Sequence, residues 1–149
     1  VVTPQGWMRA VGERGRVQKV PWLPSAAVLA CVDALVFSEE DFDPSSGMLE
    51  LYRNHCPLVA MTRGEKGALI FTHRQTYDLP APRMEVCDTI GAGDIFASAF
   101  FYTIKLGMLP QTAGAYAVAL ASASVTRRAL NSIPTAQEIQ YNSGILQSS

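Results

Sequence analysis

Short apolar runs alternate with helix-patterned stretches along this chain, and that alternation limits the architectures open to it. Residues 34–37 are a continuous apolar run of buried-strand type, and 58–62 read as another buried strand. Between them Met48, Leu49, Leu51 and Tyr52 recur at helical spacing, and Ser45 or Ser46 can cap a helix running to about Asn54. A shorter helical stretch at 26–32 follows Ser25, which suits an N-cap. Residues 1–3 read as the end of a strand, and 16–22 as a short one. The Gly64-Glu65-Lys66-Gly67 turn leads into 68–72, which predicts a hairpin with 58–62. A further strand is expected at 76–79. Two helices are expected at 91–106 and 112–127, with Gly107 ending the first, and a last one at 136–141, with the tail from Ser143 frayed. This order predicts one layered α/β domain over 1–149 with a mainly parallel sheet. No repeat or interdomain linker interrupts it.

The most informative local feature lies where the strands give way to helices. Asp88-Thr89-Ile90-Gly91-Ala92-Gly93-Asp94 is a glycine-bracketed turn with an acid at each end, followed at once by an apolar helical pattern. A turn that opens a helix presents unpaired N–H groups and the positive end of the helix dipole. Such a terminus binds anions, phosphate above all. An aspartate placed there can take a proton from an attacking hydroxyl, so the segment reads as a phosphoryl-transfer centre. The competing reading of Asp94 is a first-turn acid that complements the dipole.

Composition removes several other classes. A net charge of -1 gives no case for nucleic-acid binding. Cys31, Cys56 and Cys87 lack CxxC spacing, which argues against a zinc site or a disulfide framework and suits a reducing cytosol. His55 and His73 are the only histidines, too few for a His-rich metal site. The most apolar helical stretch, 113–125, is too short to span a bilayer. The chain begins without Met in what reads as mid-strand, so a fragment of a longer protein is expected. An open edge at residues 1–3 would invite pairing, whether by dimerisation, aggregation or a separate N-terminal piece.

Three segments together resemble the ribokinase-like (PfkB-type) carbohydrate kinases. Residues 88–94, continuing through Ile95-Phe96-Ala97-Ser98-Ala99-Phe100, look like that family's C-terminal signature. Thr62-Arg63-Gly64-Glu65-Lys66-Gly67-Ala68 resembles its nucleotide-side turn. Ser124-Val125-Thr126-Arg127 with Asn131-Ser132-Ile133-Pro134-Thr135 is similar to its adenine-flanking region. The resemblance implies a three-layer α/β/α, Rossmann-like domain whose N-terminal part is missing. It also implies ATP-dependent phosphorylation of a sugar, polyol or nucleoside hydroxyl in the cytoplasm.

The resemblance assigns roles residue by residue. Asp94 matches the catalytic base, and Gly91, Ala92 and Gly93 match the anion hole. Thr62, Gly64 and Gly67 fall on the ATP-binding side, although an ordinary hairpin turn explains the glycines as well. Ser38-Glu39-Glu40-Asp41 stands where the family carries Asn-x-x-Glu, which organises Mg²⁺. Here Ser38 replaces Asn and Asp41 replaces Glu. The shorter Asp41 side chain leaves Glu40 or Glu39 as a substitute, and a solvated acidic helix start reads equally well. Asp88, the Ile90 carbonyl and Ser132 resemble the monovalent-cation site where many members use K⁺, against the alternative that Asp88 braces its turn. Small residues along 113–125 suit close packing first and room for an adenine ring second. Trp7 and Trp22 read as core or interface residues.

The family's acceptor site lies largely in an N-terminal half with a Gly-Gly signature, and nothing in this sequence matches it. A truncated, non-catalytic nucleotide-binding or assembly module is therefore the competing expectation. A dinucleotide-binding oxidoreductase is a third, opposed by Phe96 where GxGxxG requires its last small residue.

Overall fold

The computed structural model describes residues 1–147 of the chain. Four strands form the main sheet in the order β3 (Leu35–Ser38), β4 (Leu58–Thr62), β5 (Ala68–Thr72) and β6 (Thr76–Leu79). A separate antiparallel ribbon pairs β1 (Arg9–Val11) with β2 (Val17–Lys19). Helices α1 (Ala26–Leu29) and α2 (Met48–His55) cover one face of the main sheet. The other carries α3 (Ala92–Lys105) and α4 (Pro110–Ser124), and α5 (Ala136–Gln147) packs on α4. The three-layer α/β/α reading holds.

Strand alternation builds two cores from one sheet. Val36, Ala60 and Ile70 sit in register and face Phe96, Phe100 and Ala117. Leu35, Phe37, Val59, Met61 and Phe71 face Leu29, Met48 and Tyr52. Both faces of these strands are buried, which is why the sequence shows continuous apolar runs rather than alternation.

The expectation of a mainly parallel sheet needs correction within these residues. β3 and β4 are parallel, but β4–β5 and β5–β6 are antiparallel. Connection length is the reason. Residues 39–57 are long enough for a crossover that includes α2, whereas 63–67 and 73–75 allow only hairpins. Residue 2 extends the parallel part: the Val2 amide donates to the Ala34 carbonyl at 2.9 Å, and Val36 donates back to Val2.

Local chemistry explains the helix ends. The Ser25 hydroxyl accepts from the Val28 amide, as its N-cap position predicts. Ser46 accepts from Met48, but left-handed Gly47 occupies the N-cap of α2. Asp43 caps the preceding 3-10 turn at Ser45. α5 extends past the predicted end at residue 141, through Gln147; Ser148 and Ser149 lie outside the described residues. Small residues bring α4 close to the sheet, since a Cβ on Gly114 would lie 2.4 Å from Leu79 Cδ1. Trp7 is mostly exposed yet stacks on Trp22 at 5.0 Å. Trp22 in turn leans on buried Tyr52, whose hydroxyl donates to the Trp22 carbonyl. No helix among the described residues is long and apolar enough to cross a membrane.

Candidate active site

One edge of the sheet gathers most of the candidate residues. Strand register places Ser38, Thr62, Ala68 and Leu79 in a row along it. This is the carboxyl edge of the parallel pair β3–β4, where ligands bind in open α/β sheets. The acidic turn 39–41 and the turn 63–67 both leave from this edge. The Thr62 hydroxyl donates to the Phe37 carbonyl at 3.4 Å, and Lys66 reaches Glu39 at 3.5 Å. The chain also exits β6 here and runs through residues 80–91 into α3.

The 88–94 motif forms the entry to α3. Gly91 is the N-cap, in the left-handed region at φ 82°, a conformation with little cost only for glycine. The Asp88 carboxylate accepts from the Ile90 amide at 3.0 Å, which closes the turn. The Cys87 and Asp88 amides both donate to the Val125 carbonyl, tying the motif to the end of α4. The Ala92 amide turns back to Thr89 at 3.3 Å, and Ile95 begins the regular ladder on Gly91. The amides of Gly93 and Asp94 have no protein acceptor among the described residues. Added Cβ atoms at Gly91 and Gly93 would meet nothing within 4 Å, so the turn faces open space. Asp94 is exposed beside these amides, and its carboxylate makes no hydrogen bond or ion pair among the described residues.

Other predicted residues are engaged differently. Asp41 is buried, and both of its oxygens are taken by Arg9 at 2.8 and 3.0 Å. Glu40 is exposed, and its amide donates to the Ser38 hydroxyl. Gly64 has φ 55° and open space around it. Gly67 does not: a Cβ there would lie 2.0 Å from the Leu79 carbonyl oxygen. The close backbone approach of the hairpin therefore requires glycine at 67 whether or not a ligand binds. Ser132 is buried in a short 3-10 turn, Ala129–Ser132, whose carbonyl accepts from Arg127.

Arg127, which the sequence marks only as part of the 124–127 segment, organises this region together with Glu138, which no sequence motif above included. The Arg127 guanidinium donates to both oxygens of Glu138 and to the carbonyls of Asn131 and Ser132. Glu138 also accepts from the Thr135 amide at 2.7 Å and donates its own amide to the Thr135 hydroxyl. That reciprocal capping box is readable as Thr135-x-x-Glu138. Hydrogen bonds from Arg127 hold the Glu138 carboxyl below its ordinary value. Ala119 and Ala123 line an open groove with Met84 and Arg127, while Ala113 and Ala117 are core. The small-residue stripe of α4 thus serves packing along one part and a surface groove along the other.

Comparison with known proteins decides the family. The model of the pfkB family carbohydrate kinases matches residues 23–136, most of the chain and all three motif segments. The chain belongs to the pfkB family. It is 29% identical over 119 residues to a 5-dehydro-2-deoxygluconokinase of Listeria monocytogenes, covering 72% of this chain and 37% of the relative. It is 32% identical over 137 residues to a 2-dehydro-3-deoxygalactonokinase of Haloferax volcanii, covering 80% and 42%. A crystal structure of ribokinase from Thermotoga maritima superposes with a TM-score of 0.68 at 25% identity, over 83% of this chain and 45% of that one. This pfkB chain thus spans less than half the length of these relatives.

Proposed function

We propose that this pfkB chain carries the catalytic and nucleotide-side part of an ATP-dependent kinase acting on a hydroxyl of a small carbohydrate-like acceptor: a sugar, polyol or nucleoside. The observation that carries the reading is the open α3 entry, where amides and an exposed aspartate carboxylate have no partner among the described residues. Asp94 accepts the proton of the acceptor hydroxyl as its oxygen attacks the γ-phosphorus. The bond to the β-phosphate oxygen breaks and ADP leaves. The Gly91, Gly93 and Asp94 amides donate to the phosphoryl oxygens as charge shifts among them. The Ala92 amide, predicted to join them, already leans on Thr89. Positioning and fixed dipoles are the main demands of phosphoryl transfer, and this turn supplies both. Thr62 and Gly64 line the nucleotide phosphates from the neighbouring turn.

A protein-held divalent cation fits this donor set poorly. Asp41 is saturated by Arg9, and no group of three His, Cys, Asp or Glu among the described residues could hold a metal ion. Mg²⁺ would therefore arrive with the nucleotide and be held chiefly by its phosphates, with exposed Glu40 the carboxylate left for outer contact. Asp88 braces its own turn by accepting from the Ile90 amide, and the Ser132 carbonyl accepts from Arg127.

The test is Asp94→Asn. It should retain ATP binding by calorimetry and lose turnover on an acceptor panel; full turnover in the variant would sink the proposal. The alternative reading is a nucleotide-binding module of the same fold without turnover. ATP binding by the wild-type chain with no product from any acceptor would select it.

A further inference from the structure

The family pattern directs the acid at position 41 toward a metal, but this chain directs it inward. Arg9 Nε donates to Asp41 Oδ1 at 2.8 Å and Nη2 to Oδ2 at 3.0 Å. The side chains are 41% and 3% exposed, so the cation approaches from solvent and the carboxylate is enclosed. With its amide oxygen turned toward the guanidinium, Gln5 accepts from Arg9 at 2.7 and 3.2 Å. A fork on a carboxylate is the strong, geometrically specific form of ion pair. To reach a cation, Asp41 would have to leave Arg9 and its enclosed position. Arg9 is also the first residue of β1, and every residue of β1 and β2 is exposed. Met8, just before it, is fully buried among Leu35, Phe37 and Tyr52. The ribbon therefore leaves the domain at a latch made of Met8, Arg9 and Asp41.

We propose that Asp41 is a positioning residue rather than a metal ligand: it holds Arg9, and through it fixes the β1–β2 ribbon against the acidic turn at the carboxyl edge of β3. The metal part of this inference rests on the proposed kinase reading; the latch does not. Asp41→Asn and Arg9→Gln then remove one shared contact. Each should lower the urea midpoint, and the double variant should fall no further than the worse single one. Trypsin cleavage at exposed Arg14 and Arg16 should accelerate about tenfold in each, because cleavage tracks the open population. Wild-type midpoint and trypsin resistance in both variants would overturn the latch. The Mg²⁺ concentration that half-saturates ATP binding should be unchanged in Asp41→Asn. A tenfold rise there, absent from Arg9→Gln, would overturn the exclusion from metal binding. Should Asp41→Asn not fold, Asp41→Glu with Arg9→Lys carries the same comparisons. If the wild-type protein binds no nucleotide, the kinase reading fails, while the urea and trypsin measurements still decide the latch.

Discussion

The α3 entry and the turns at the sheet edge carry similar residues and do opposite things with them. The α3 entry holds Gly91, Gly93 and Asp94, with open space at the glycines and no partner for the acid among the described residues. Across the sheet edge, Gly67 is wedged against the Leu79–Ala81 backbone and Asp41 is enclosed by Arg9. Glycine and aspartate at a turn are thus ambiguous by type. What separates them is whether their polar groups and volume are already used by the fold. Unused groups are available to a ligand, whereas used groups hold the scaffold that presents them.

The sharpest way to break this contrast is Asp94→Asn. As an exposed general base it should lose roughly 10²- to 10⁴-fold in turnover by steady-state assay, with stability unchanged within about 0.5 kcal/mol. A matching loss of stability would move Asp94 to the scaffold side. Gly67→Ala should do the reverse, costing about 3 kcal/mol or more in urea unfolding because its backbone is left-handed and its space is filled. Gly93→Ala, helical and in open space, should stay within about 1 kcal/mol of wild type, so that any weakening of ATP binding reads as ligand contact. Gly114→Ala should cost about 1–3 kcal/mol by overpacking against Leu79 and Ile70.

The smallest effect concerns pH. The folded Glu138 carboxyl is lowered from 4.5, chiefly by hydrogen bonds from Arg127. Its contribution is fully present above that ordinary value and is lost as pH falls through the lowered folded value. Glu138→Gln should therefore flatten the acid limb of thermal stability below about pH 4.5 and change little near neutrality. An unaltered acid limb would show that the Arg127–Glu138 clamp does not set the stability of the loop at 131–133.

Much of the fold was legible because its signals are local. Buried runs at 34–37 and 58–62, the Ser25 cap and the turn at 64–67 each report on neighbours within a few residues. The turn at 64–67 also signals the antiparallel pairing of 58–62 with 68–72, and the three-residue connection 73–75 permits only another hairpin. The capping box at Thr135 and Glu138 was likewise present in the sequence. The Arg9–Asp41 pair was not, because its partners are 32 positions apart and no periodicity connects them.

By itself the sequence determined the α/β layering, the helix-opening turn at 88–94 and membership of the pfkB family, all of which rest on residue order over short distances. Only the tertiary structure decided which of those residues remain available. Burial and long-range pairing are properties of the assembled sheet edge. They committed Asp41 to Arg9 and Gly67 to the Leu79 backbone, and left Asp94 and its neighbouring amides open to solvent.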